Sequence, residues 1–152
     1  MKRLLLALFA IVIGITPSAA QTVISSGINA GTSRVLGTLR TANFNVTTDQ
    51  AIPISALVYN ISAIWITNCT ISMTTAAGGF YPTTAKGGTA LVANTQVYSA
   101  LTASTILLAA TLNAGANLST TRSTTSPLYL SLTTAQGSAA TCDVYILGQD
   151  LT

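Results

Sequence analysis

Beyond residue 20, apolar and polar positions alternate with period two along most of the chain, the signature of half-buried β-strands. The clearest run is Tyr59 to Met73. Its odd positions read Tyr59, Ile61, Ala63, Trp65, Thr67, Cys69, Ile71 and Met73; its even positions read Asn60, Ser62, Ile64, Ile66, Asn68, Thr70 and Ser72. The odd face is apolar almost throughout and the even face only at its centre. The run therefore predicts a strand covered on both sides at its middle, interrupted near Asn68, with Trp65 in the core.

The same alternation predicts strands over 33–39, 42–46, 89–93, 96–101, 105–112, 128–133 and 139–147. Asn94-Thr95 reads as a tight turn between two of these. The 105–112 segment is apolar on both faces and reads as central. In 128–133, Leu128, Leu130 and Leu132 point inward. In 139–147, Ala140, Cys142, Val144 and Ile146 point inward, and Thr141, Asp143 and Tyr145 outward. Gly78-Gly79, Pro82, Gly87-Gly88, 113–115, Pro127 and Gly137 break the runs. About eight short strands with turn-rich spacers predict an all-β, antiparallel two-sheet sandwich of jelly-roll or Greek-key type, with a small barrel as the alternative. Residues 113–126 are the most loop-like stretch.

The N-terminus follows a different pattern. Met1-Lys2-Arg3 is basic, Leu4 to Ile15 is apolar, and Thr16-Pro17-Ser18-Ala19-Ala20 supplies a breaker and small residues. This predicts a secretory signal peptide over 1–20, cleaved before Gln21. The apolar run is shorter than the roughly 20 residues that span a bilayer, so no integral membrane span is expected after cleavage. Residues 21–32 read as a flexible N-terminal arm and 33–152 as the sandwich domain. The expected location is secreted or periplasmic.

Composition narrows the function classes. A chain of 152 residues holds one domain, and only 6% of it is charged, with no His and no Glu. Disordered chains have the opposite balance. Nucleic-acid binding needs clustered Lys and Arg, and the six here are scattered. The formal charge of +3 owes much to the leader; without it, Arg34, Arg40, Lys86 and Arg122 stand against Asp49, Asp143 and Asp150, a net +1. Cys69 and Cys142 form an even pair in an exported chain and predict one disulfide. With no His and no third Cys, no zinc site is expected, and no other metal or cofactor.

Acid–base chemistry has few carriers. Asp49, Asp143 and Asp150 lie far apart in sequence and read as solvated turn or edge residues. Lys86 precedes Gly87-Gly88 and a strand, which marks a turn and not a phosphate loop. No Ser has a His base, so no enzyme is expected. The aromatics are the remaining resource: Phe80 and Tyr81 between glycines and Pro82, joined by Tyr98 and Tyr145, are the candidate ligand-binding residues, a platform for stacking on a sugar ring. Four Asn-x-Ser/Thr sequons, at Asn45, Asn60, Asn68 and Asn117, are expected by chance in a chain this rich in Ser and Thr.

Chaperone–usher pilins place their cysteines closer together and nearer the N-terminus than this chain does. Outer-membrane barrels need aromatic girdles, and few aromatics are present. The stretches Asp49-Gln50-Ala51-Ile52-Pro53-Ile54, Gly78-Gly79-Phe80-Tyr81, Lys86-Gly87-Gly88-Thr89-Ala90 and Leu128 to Gly137 resemble those of small uncharacterised β-proteins of proteobacteria and their phages. That resemblance implies a fold and no reaction. The expectation is an exported, non-catalytic structural or interaction module of the cell envelope or extracellular space, able to self-assemble. Its partners are then itself, an envelope protein or a glycan. The alternatives are a carbohydrate-binding module and a phage-type virion surface protein.

Overall fold

The computed structural model describes residues 33–102, 106–114, 119–121 and 126–151. The expected signal peptide (1–20) and N-terminal arm (21–32) lie outside the described residues, as does much of the 113–126 stretch. Among the described residues all regular structure is β, with no helix. The strands are β1 (Ser33–Asn43), β2 (Gln50–Ile52), β3 (Val58–Thr67), β4 (Ala77–Tyr81), β5 (Leu108–Ala109), β6 (Ser119–Thr121), β7 (Leu128–Thr134) and β8 (Thr141–Asp150). They form two antiparallel sheets. One runs β1-β8-β3-β5, with β6 also pairing β3; the other runs β2-β7-β4. The inner faces meet in a single core that includes Leu36, Phe44, Ile52, Ile64, Ile66, Phe80, Leu130 and Ile146.

Strand β8 is the centre of the larger sheet, hydrogen-bonded to β1 on one side and β3 on the other. Its alternation holds without a break: Cys142, Val144 and Ile146 are buried at 1% exposure or less. Strand β7 holds in the same way through Leu128, Leu130 and Leu132. Cys69 and Cys142 form the expected disulfide across a sequence separation of 73, tying the segment after β3 to β8. Among the described residues no helix is long and apolar enough to cross a membrane.

Irregularities in pairing change the rest of the picture. Strand β3 carries one extra residue opposite β8, since Ile61 faces Gly148 and Ala63 faces Leu147. That bulge reverses the phase, because side chains alternate with period two. Tyr59 and Ile61 are buried before it, and Ile64 and Ile66 after it. The inward set thus switches from odd to even, and Trp65 faces out at 38% exposure instead of lying in the core. Asn68, at φ 54°, restores the first phase, so that Cys69 is buried again. Opposite the bulge, Gly148 leaves no room for a side chain: a Cβ there meets the Asn60 carbonyl oxygen at 1.9 Å.

Segments 33–39 and 42–46 are not two strands. Strand β1 runs through the first and ends at Asn43, leaving 44–46 outside regular structure, and it absorbs two register shifts, between Val35 and Gly37 and between Leu39 and Ala42. Segments 89–93 and 96–101 form no regular strands; Val92 and Val97 make only isolated bridges. The turn between them is present, with the Gln96 N–H donating to the Ala93 carbonyl. The 105–112 segment is not central. It contributes the two-residue β5, and Ile106 and Leu107 are 40% and 51% exposed.

A buried amide organises the loop between β7 and β8. The Gln136 Oε1 accepts from the backbone N–H groups of Thr74, Thr75 and Ala76 at 3.0, 3.2 and 3.3 Å. Its Nε2 donates to the Thr74 hydroxyl at 3.0 Å and the Ser72 carbonyl at 3.4 Å. One side chain therefore satisfies a turn that has no ladder partner of its own.

Candidate functional site

Three of the four expected ligand-binding aromatics are core residues. Phe80 and Tyr98 are fully buried and Tyr81 is 4% exposed. Phe80 alternates onto the inner face of β4. Tyr98 packs edge-on against Phe44, with ring centroids 5.1 Å apart, and its hydroxyl donates to the Gly78 carbonyl at 3.0 Å. Burial pushes its phenol well above the usual range. Tyr81 is also raised, by burial and then by the charge of Asp49. These rings cannot form an exposed platform, because the loop after β4 folds back over that sheet. Phe80 pairs with Val92, and the Leu91 N–H donates to the Phe80 carbonyl.

Tyr145 is the exception, half-buried on the outer face of β8. Directly across the ladder from it is Trp65, the single tryptophan of the chain. Together with Val35, Thr67, Leu107 and Leu147 they line a groove of about 360 Å³ on the outer face of the larger sheet. Its lining is mostly apolar; the polar groups its residues carry are the Trp65 indole N–H, the Tyr145 hydroxyl and the Thr67 hydroxyl, which donates to the Ile106 carbonyl. Val35 is 47% exposed. An apolar patch that a fold leaves in water is the usual mark of an interaction surface.

The charged groups are structural. Asp143 does lie on the outer face of β8, but it is not solvated: its side chain is 6% exposed. It accepts from Arg40 at 2.8 Å, from the Thr41 N–H at 3.0 Å and from the Asn68 amide at 3.1 Å. Burial alone would raise its pKa, and the three donors outweigh burial and hold it below the usual carboxylate range. The carboxylate thereby fixes the positive-φ residues Thr41 and Asn68. Arg40 also lies over the Tyr145 ring, 4.9 Å from its centroid, a cation–π contact at the edge of the groove. Asp150 is likewise not in a solvated tail. It ends β8, is buried, and pairs with Arg34.

Asp49 and Lys86 come together at a third corner. Asp49 accepts from the Ala85 N–H at 2.5 Å. The Ser131 hydroxyl, that N–H and the Lys86 charge lower its pKa. The contact closes the turn in which Ala85 and Lys86 take positive φ. The three aspartates thus lie at separate points, each held by its own structural partners. Among the described residues no group of three His, Cys, Asp or Glu side chains could hold a metal ion.

Comparisons with protein-family models, with curated proteins and with solved structures found no match. The site therefore rests on geometry alone. Sequence reasoning reached Tyr145 but missed Trp65, Val35, Leu107 and Leu147. Gly148 was the available signal: a glycine inside an otherwise well-formed strand marks a bulge or a close backbone approach. The bulge in turn moves Trp65 to the outside.

Proposed function

We propose that this chain is an exported, non-catalytic structural or interaction module of the cell envelope or extracellular space, with the outer face of the larger sheet as its working surface. The observation that carries the reading is the largely apolar groove of Val35, Trp65, Leu107, Tyr145 and Leu147 on the outer face of the larger sheet. The disulfide supports an oxidising compartment. No carboxylate stands beside a nucleophile in the groove, so the surface suits contact better than catalysis.

A sugar ring on the cross-strand pair Trp65 and Tyr145 is the second reading, favoured by two aromatics facing out side by side. The lining weighs against it. Sugar recognition needs several polar groups around the ring; the lining residues carry the Trp65 indole N–H and the Tyr145 and Thr67 hydroxyls, and that of Thr67 is already engaged by the Ile106 carbonyl. Titration with the apolar dye ANS tests the main reading, with Trp65 as energy-transfer donor. Saturable quenching of Trp65, reduced in Leu107→Asn while near-UV circular dichroism stays native, is the expected result. Dye that leaves Trp65 unquenched, with quenching by oligosaccharides in its place, would transfer the reading to sugars.

A further inference from the structure

We infer that the groove face is a self-complementary dimer surface, and that its occupant is a second copy of this chain. This rests on reading that face as the working surface and names its partner. An isologous contact needs projections and a depression on the same patch. Val35 on β1 and Leu107 just before β5 project on opposite sides of β8, at 47% and 51% exposure. Between them Tyr145 and Leu147 form a half-buried floor. Turned about a twofold axis, the projections of each copy meet the floor of the other.

Charge agrees with this partner. Among the described residues Arg34, Arg40 and Lys86 balance Asp49, Asp143 and Asp150. Arg40, the charge nearest the groove, is already engaged by Asp143 and the Tyr145 ring. Among the described residues no charge at the groove stands unpaired, so none there repels an identical copy or selects a charged partner. The area fits a weak contact. Three strands of about ten residues at about 3.3 Å each and about 4.8 Å apart, with the five residues of β5 and β6 beside β3, give a face of roughly 550 Å². Two such faces bury about 1,100 Å², just under the range of stable interfaces and within that of transient ones. A dimer that weakens on dilution follows.

The test is sedimentation velocity of the full exported chain from low micromolar to millimolar concentration, with Trp65 emission recorded on the same samples. The expected result is a monomer–dimer equilibrium whose midpoint coincides with a blue shift of Trp65. Val35→Lys and Leu107→Lys change exposed side chains, so native circular dichroism is kept, and each weakens the dimer by about tenfold or more. A monomer at every concentration overturns the inference, as does a dimer indifferent to both substitutions. If that monomer still binds ANS with quenching of Trp65, only the second copy is lost as partner. If ANS also fails, the working-surface reading falls with it.

Discussion

Replacing Gln136 isolates what one buried amide contributes to this fold. Ala76 is 2% exposed, so its N–H has no route to water once Oε1 is removed, and an orphaned buried donor costs about 1–3 kcal/mol. Thr74 and Thr75 are exposed; their N–H groups regain water, at a net loss of about 0.5–1.5 kcal/mol each. Gln136→Met keeps the volume and removes every side-chain hydrogen bond, and apolar burial returns roughly 1 kcal/mol, leaving a destabilisation of about 1–5 kcal/mol, centred near 3. Gln136→Ala adds a cavity and costs about 1 kcal/mol more. Urea unfolding followed by Trp65 fluorescence and far-UV circular dichroism measures both, with the disulfide intact. A loss below about 0.5 kcal/mol for Gln136→Met would refute the assignment of this amide as the organiser of the 72–76 turn.

Three further outcomes are expected. Cys69→Ala with Cys142→Ala opens a loop of 73 residues, for which chain entropy gives about 4 kcal/mol at 25 °C, read from urea unfolding extrapolated to water, with a steeper slope because the opened unfolded chain exposes more surface. Gly148→Ala drives a Cβ into the Asn60 carbonyl; the β3–β8 ladder must part, and thermal unfolding will show a loss of about 4 kcal/mol or more, or no folded protein. Asp143 has a folded pKa below its unfolded value. Its contribution is therefore complete above about pH 4 and disappears as pH falls through the folded value. Asp143→Asn should flatten that acid limb in a pH series of unfolding midpoints; an unchanged limb would assign it to other groups.

How much of this was legible in the sequence depends on whether a strand keeps its phase. In β7 and β8 the inward residues fall on alternate positions with no extra residue on β8, and both the core set and the disulfide followed from them. In β3 the phase reverses at Ser62 and returns at Asn68. Neither residue is a glycine or proline, so simple alternation assigned Trp65 to the core. The cause sits on the neighbouring strand, in Gly148, and pairwise geometry of that kind is invisible until the pairing is known. The buried aspartates have a similar explanation. Alternation correctly turned Asp143 outward, but the donors that bury it come from β1 and from the residue after β3, 102 and 75 positions away. The aromatics near 80 were misplaced because the 82–98 segment returns over them through isolated bridges and single hydrogen bonds, which leave no periodic trace.

The position of β8 at the centre of the larger sheet governs when that sheet can close. Both its neighbours precede it in the chain, and the ion pairs across the β1–β8 ladder span 116 and 103 residues. Until β8 emerges, β1 and β3 have no strand between them, and Cys69 has no other cysteine to meet. Assembly is then dominated by late, long-range pairing, the slow regime for β-proteins. The larger sheet therefore stays divided while the smaller β2-β7-β4 sheet already has all its strands. Delivery of β8 joins the two halves of the larger sheet and brings Cys142 within reach of Cys69, the one cross-link two cysteines allow.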